Sequence, residues 1–179
     1  MFVQKIKLDY DFGIFLKADH TTHEDTCIKH QVTEMADIYA SYGGLPKSYC
    51  YENTKINQLW WTPEQVDFKE IGRQLGMEII TMSSIRQEPG CTITLHKDTF
   101  YQIKKQFPER TELKVRSNIY LENYKFGQMI QYISPDNTFE TSVGWKQGEG
   151  WVWDSDIQHL SCNAGMEDKY TLQISGFKI

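Results

Sequence analysis

Thr92-Ile93-Thr94-Leu95-His96-Lys97-Asp98 is the stretch on which the reading of the whole chain turns. A Pro89-Gly90 turn signal precedes it, and Cys91 to Asp98 then alternates as a strand does. Side chains two apart on a strand share a face, so His96 and Asp98 aim an imidazole and a carboxylate at one point. A third ligand is offered by His159, which follows a Gly148-Glu-Gly150 turn and the strand-like run Trp151-Val-Trp-Asp-Ser-Asp-Ile-Gln158.

By itself a His-x-Asp is a weak signal in a chain with five histidines, because accidental matches are common. Its context adds weight. Two imidazoles and one carboxylate on one face of a metal leave the opposite positions open, which suits non-haem Fe(II). Downstream, Lys169-Tyr-Thr-Leu-Gln-Ile-Ser175 splits into Tyr170, Leu172 and Ile174 on one face and Lys169, Thr171 and Gln173 on the other. An ammonium and a hydroxyl two residues apart form a clamp for a carboxylate.

With His96-x-Asp98, His159, Lys169 and Thr171 in this order, the chain resembles the 2-oxoglutarate/Fe(II)-dependent dioxygenases. The runs Lys114-Val-Arg-Ser-Asn-Ile-Tyr-Leu-Glu-Asn123 and Gly150 to His159 look most like the branch holding aspartyl/asparaginyl β-hydroxylases and small phage or bacterial relatives. The resemblance spans residues 80–177, and it departs from that branch at Lys169, where the branch usually has arginine.

The resemblance implies a double-stranded β-helix, a cupin-like jelly roll, with Fe(II) held by His96, Asp98 and His159. It implies 2-oxoglutarate as co-substrate, its far carboxylate on Lys169 and Thr171, with O2 as oxidant and succinate and CO2 as products. Arg116 would bind an anion, either the substrate or the co-substrate. Ser84 matches a family serine loosely. The substrate would be a small molecule or a peptide, hydroxylated at an unactivated C–H bond.

Composition narrows the rest. The length of 179 residues suits one domain, 1–179, with supporting strands and helices over 1–76 and a jelly-roll core over 77–179. The net charge is −5, and no cluster of Lys and Arg stands out, which argues against a nucleic-acid partner. No run approaches the ~20 apolar residues of a membrane helix. The N-terminus lacks a signal peptide's apolar core, and Cys27, Cys50, Cys91 and Cys162 form no Cys-x-x-Cys pair, so a cytoplasmic protein with reduced thiols is expected. Oligomeric state leaves no signature in the sequence.

The expected class is α+β. Residues 2–18 read as one or two strands, 27–42 as a helix, and 45–62 as an aromatic loop or short strand whose Trp60-Trp61 would line a substrate mouth or pack on the core. Thr62-Pro-Glu-Gln65 reads as a capping box opening a helix that stops near Gly76. Seven strands follow, over 77–85, 91–98, 114–122, 126–133, 138–145, 150–154 and 170–177, with residues 99–111 as a surface loop or lid.

Two other functions fit parts of the chain. One is a cupin-like binding module without oxidative activity. The other is a zinc protein built on His20, His23, Cys27 and His30, of which His23, Cys27 and His30 would share one side of a helix. That spacing matches no established zinc module, and a polar helix start with solvated histidines accounts for it better.

Overall fold

The computed structural model describes residues 3–22, 24–26, 28 and 36–179. Eleven strands lie among them: β1 (Val3–Lys7), β2 (Glu24–Thr26), β3 (Lys55–Trp61), β4 (Met77–Gln87), β5 (Thr92–Lys97), β6 (Lys114–Tyr120), β7 (Gln128–Ile133), β8 (Phe139–Ser142), β9 (Glu149–Asp154), β10 (Gln158–Asn163) and β11 (Lys169–Lys178). Five short helices accompany them: α1 (Gly13–Leu16), α2 (Ala36–Ser41), α3 (Tyr51–Thr54), α4 (Phe68–Leu75) and α5 (Tyr101–Gln106).

A larger sheet runs β1-β9-β6-β11-β4-β3-β2 and a smaller one β5-β10-β7-β8, with every pairing antiparallel. From β4 onward the chain alternates between the sheets except at the β7–β8 hairpin: β4, β6, β9 and β11 belong to the larger, and β5, β7, β8 and β10 to the smaller. That is the jelly roll expected from the resemblance. Strands from before residue 76 extend the larger sheet at both edges, β1 beside β9 and β3 beside β4, so the N-terminal part is woven into the same sheet.

Alternation gives the larger sheet two unlike faces. On the outer face Met82, Val115, Ile119, Val152, Leu172 and Ile174 pack beneath α1 and α4, against Phe15 and Ile71. The inner face turns Arg116, Asn118, Thr171, Gln173 and Ser175 toward the interior of the roll. At one end of that interior Tyr120, Tyr132, Trp145, Trp151 and Trp153 form a second, aromatic cluster. Gly76 closes α4 in the left-handed region at φ 63°. Gly176 sits at a register shift in β11, where an added Cβ would lie 1.8 Å from the Glu78 carbonyl oxygen.

Several local expectations are corrected. Within the segment expected as one or two strands, Gly13–Leu16 is a short helix, because its N-cap Phe12 and Phe15 are both buried and need the helical turn to face one core. The Thr62–Gln65 box forms in part, the Gln65 side chain accepting from the Thr62 N–H at 3.1 Å. The helix nevertheless begins later, capped by Asp67 on the Glu70 N–H at 3.0 Å. Residues 51–61 fold into α3 and the seven-residue β3, and the segment 99–111 carries α5. Residues 158–163, read only as the end of a run, form a strand of their own, β10. Half of the helix expected over 27–42 lies outside the described residues, which include α2 within it.

Candidate metal centre

β5 and β10 are neighbours in the smaller sheet, and His96 and His159 are direct cross-strand partners. Their rings lie 4.1 Å apart between centroids. Between the pairs His159↔His96 and Ser161↔Ile93, β5 carries one residue more than β10, a bulge. The bulge breaks the simple alternation of Thr92–Asp98, so that Ile93, His96 and Asp98 all line one cavity while the Thr94 hydroxyl bonds Tyr39 at 2.8 Å. Just past the end of β5, Asp98 turns inward and is buried.

His96, Asp98 and His159 each offer a ligand atom, all within 4.8 Å of one another, and they are the group among the described residues with this property. The His96 Nδ1 lies 2.7 Å from the Thr94 carbonyl oxygen and the His159 Nδ1 3.5 Å from that of Ile157. A carbonyl can only accept, so Nδ1 carries the proton in the neutral ring and the Nε2 lone pair faces the cavity. Burial, and then the neighbouring His96, push the His159 pKa down to about 3. The 3.7 Å approach of His159 Nε2 to Asp98 Oδ2 is therefore not an ion pair near neutrality.

Two groups orient the carboxylate. The Trp153 indole N–H donates to Asp98 Oδ2 at 2.7 Å, and Arg116 Nη1 meets Oδ1 at 2.6 Å. Burial would raise the Asp98 pKa, but Arg116, the two imidazoles and the indole N–H outweigh it and hold the carboxyl below its usual range. Arg116 is fixed in turn by donating from Nε to Ser175 Oγ at 3.0 Å and by the Phe100 ring, 5.6 Å away. Phe100 itself is in the left-handed region at φ 51°, a rare conformation for a bulky residue, two positions after Asp98. Two neutral nitrogens and an ionised carboxylate, which keeps lone pairs beyond those used by Trp153 and Arg116, fit a divalent ion such as Fe(II).

The cavity holds about 630 Å³. Along its wall from His159, two residues on, comes Ser161, and behind Ser161 lies Lys169. Lys169 is buried and donates to the Ser161 hydroxyl and to the carbonyls of Met129 at 3.3 Å and Cys162 at 3.2 Å. The Ser161 hydroxyl in turn donates to Gln87 Oε1 at 2.9 Å. No acidic side chain among the described residues pairs with Lys169, and burial pushes its pKa down to about 7. Thr171 lines the cavity as the alternation of β11 predicts.

Sequence reasoning missed Ser161 and Trp153. Ser161 lies two residues from His159, so the i, i+2 rule would have found it once β10 was recognised as a strand, whereas Trp153 stood in the sequence only as part of the strand-like run from Trp151. The same reasoning also grouped Trp60 with Trp61, which β3 points to opposite faces. Trp60 lines the cavity and is 58% exposed, whereas Trp61 packs edge-on against Phe15 at 5.1 Å. Ser84 is on the outer face, accepting from the Trp61 N–H at 2.9 Å and bonded to His20 Nε2 at 2.9 Å, and so has no part in the site. Of the alternative zinc set, His20 is committed to Ser84 and to the Ala18 carbonyl, and His23, Cys27 and His30 lie outside the described residues. Cys50, Cys91 and Cys162 are free thiols, and no described helix is long and apolar enough to cross a membrane.

No protein-family model matches the chain, and no curated protein sequence matches it. Solved structures do. A prolyl-4-hydroxylase from Pseudomonas putida superposes with a TM-score of 0.57 at 15% identity, covering 99% of this chain and 92% of that one. SnoK, a non-haem α-ketoglutarate-dependent carbocyclase from nogalamycin biosynthesis, gives 0.58 at 7% identity, covering 98% of this chain and 79% of its own. The chain thus shares the jelly-roll fold of these two enzymes, the fold that the motif resemblance implied.

Proposed function

We propose that the protein is an Fe(II)- and 2-oxoglutarate-dependent oxygenase that hydroxylates an unactivated C–H bond of a small molecule or a peptide side chain. The observation that carries this reading is the meeting of His96, Asp98 and His159 in one cavity wall, with Ser161 further along it and the buried Lys169 behind Ser161, unpaired with any acidic side chain among the described residues. Bound iron would supply the activation of dioxygen that is coupled to oxidative decarboxylation of 2-oxoglutarate into succinate and CO2.

The chain's own residues do the rest. His96 and His159 present neutral nitrogens, and Trp153 and Arg116 fix the plane of the Asp98 carboxylate and keep it ionised. Lys169, with Ser161 and Thr171, receives the distal carboxylate of the co-substrate. An anion brought there supplies the charge that the buried ammonium lacks, and charge-assisted contacts of this kind are the strong ones. Deep apolar walls, including Ile93, Ile130 and Phe100, exclude water from the reacting atoms. A cavity of about 630 Å³ lies in the range of drug-sized ligand sites, which leaves room for a substrate beside a five-carbon diacid.

Thermal unfolding tests the reading. Under anaerobic conditions Fe(II) and 2-oxoglutarate together raise Tm, and admission of oxygen releases succinate. His96→Ala abolishes both. A metal-dependent rise in Tm with no effect of 2-oxoglutarate and no succinate would leave a cupin-like metal-binding module instead.

A further inference from the structure

The aromatic cluster at one end of the roll begins at the metal centre and ends near the surface. Trp153, whose indole N–H holds Asp98, has its ring 4.8 Å from that of His159. Tyr132 contacts both Trp153 and Trp151, at 5.0 and 5.3 Å between centroids. Trp151 and Tyr120 both donate to the Ser142 hydroxyl, at 3.1 and 2.6 Å. Tyr120 stacks on Trp145 at 3.8 Å with only 7° between the planes, and Trp145 meets Tyr124 edge-on at 5.0 Å. Tyr124 is half-buried, and its next ring contact is Phe126, which is 90% exposed.

Packing alone explains a cluster of large rings. It does not require that every ring but the last be an oxidisable Trp or Tyr, in contact from a metal ligand out to solvent. Electron tunnelling weakens exponentially with distance, and in this series each ring touches the next directly or through one hydroxyl. We propose that Trp153, Trp151, Tyr120, Trp145 and Tyr124 form a relay that carries oxidising equivalents from the metal centre to the surface when oxygen is activated without a substrate C–H bond to consume it.

A one-electron oxidant derived from dioxygen or peroxide at the His96/Asp98/His159 centre takes an electron from Trp153, which is refilled from Trp151 and so outward to Tyr124. Tyr124 loses that electron together with its phenolic proton, which passes to water, and leaves a neutral phenoxyl radical. A thiol or ascorbate in solution restores the phenol by giving one electron and one proton. A two-electron oxidant is quenched by two such passages. Tyr120 keeps its phenolic hydrogen bond to Ser142, and the buried Tyr132 ring joins the two tryptophans by direct contact.

This inference rests on the metal-centre reading, and one experiment separates the two. Protein with and without Fe(II) is treated with hydrogen peroxide in the absence of 2-oxoglutarate, and oxygen incorporation is mapped by peptide mass spectrometry. The expected result is iron-dependent oxidation at Tyr124 and Trp145. In Tyr120→Phe, which keeps the ring and leaves the ligands untouched, that oxidation falls at least several-fold and moves inward to Trp151 and Trp153. Iron-dependent oxidation confined to the cavity wall in both proteins overturns the relay and leaves the centre intact. A map that is the same with and without iron overturns the centre and the relay with it.

Discussion

β11 carries opposite chemistry on its two faces. Leu172 and Ile174 are fully buried among the apolar side chains beneath α1 and α4, while Lys169, Thr171, Gln173 and Ser175 line or adjoin the polar interior of the roll. One face gains from being dry and featureless, and the other holds a buried ammonium and hydroxyls that serve binding better than stability. Stability and function thus fall on alternate residues of a single strand.

The largest effect separates the faces. Ile174→Ala empties a site with no exposed surface and destabilises the fold by about 2–5 kcal/mol in urea unfolding, while iron affinity of the folded fraction is unchanged. Asp98→Ala, on the other side of the sheet, abolishes iron binding in calorimetry and strands Arg116 without its carboxylate.

A middle-sized effect sharpens the comparison through pH. With its pKa pushed down to about 7, Lys169 releases its proton in the folded protein while the unfolded chain keeps one up to the ordinary lysine range. Between those limits the unfolded state binds more protons, so stability contributed by this group rises with pH through the window and is lowest below it. Lys169→Met removes that slope and is more stable than the parent near neutrality, as urea midpoints at two pH values would record. The same variant loses 2-oxoglutarate binding. In the parent, 2-oxoglutarate affinity weakens as pH rises above about 7, because the ammonium is lost.

The smallest effect is expected at Trp60. It is more than half exposed, so Trp60→Ala shifts stability by well under the cost of a core truncation, within about 1 kcal/mol. Iron and 2-oxoglutarate binding remain as in the parent, and the loss appears in the apparent affinity for substrate. An unchanged substrate affinity would take β3 out of the recognition surface.

Much of the jelly roll was legible because β6 and β11 repeat a two-residue period, with Val115, Ile119, Leu172 and Ile174 on one side and Arg116, Asn118, Thr171 and Gln173 on the other, and that period survives folding. Thr171 and Arg116 were assigned to the inner face on the same ground. β10 escaped notice because Gln158-His-Leu-Ser-Cys-Asn163 buries small polar side chains at alternate positions, leaving no hydrophobic alternation to read. The start of α4 was misplaced because a half-formed capping box at Thr62–Gln65 competes with the true cap at Asp67, and packing of Phe68 and Ile71 decides between them.

By itself, the sequence determined the donor types, the His-x-Asp spacing and the face of β11 that carries the lysine, since these follow from local periodicity and side-chain chemistry. Only the tertiary structure decided that His96 faces His159 across two strands, that a bulge in β5 turns Ile93, His96 and Asp98 to one wall, and that Arg116 and Trp153 hold the carboxylate. Those contacts join residues far apart along the chain, and the pairing of distant strands, which local periodicity does not specify, sets which of them meet.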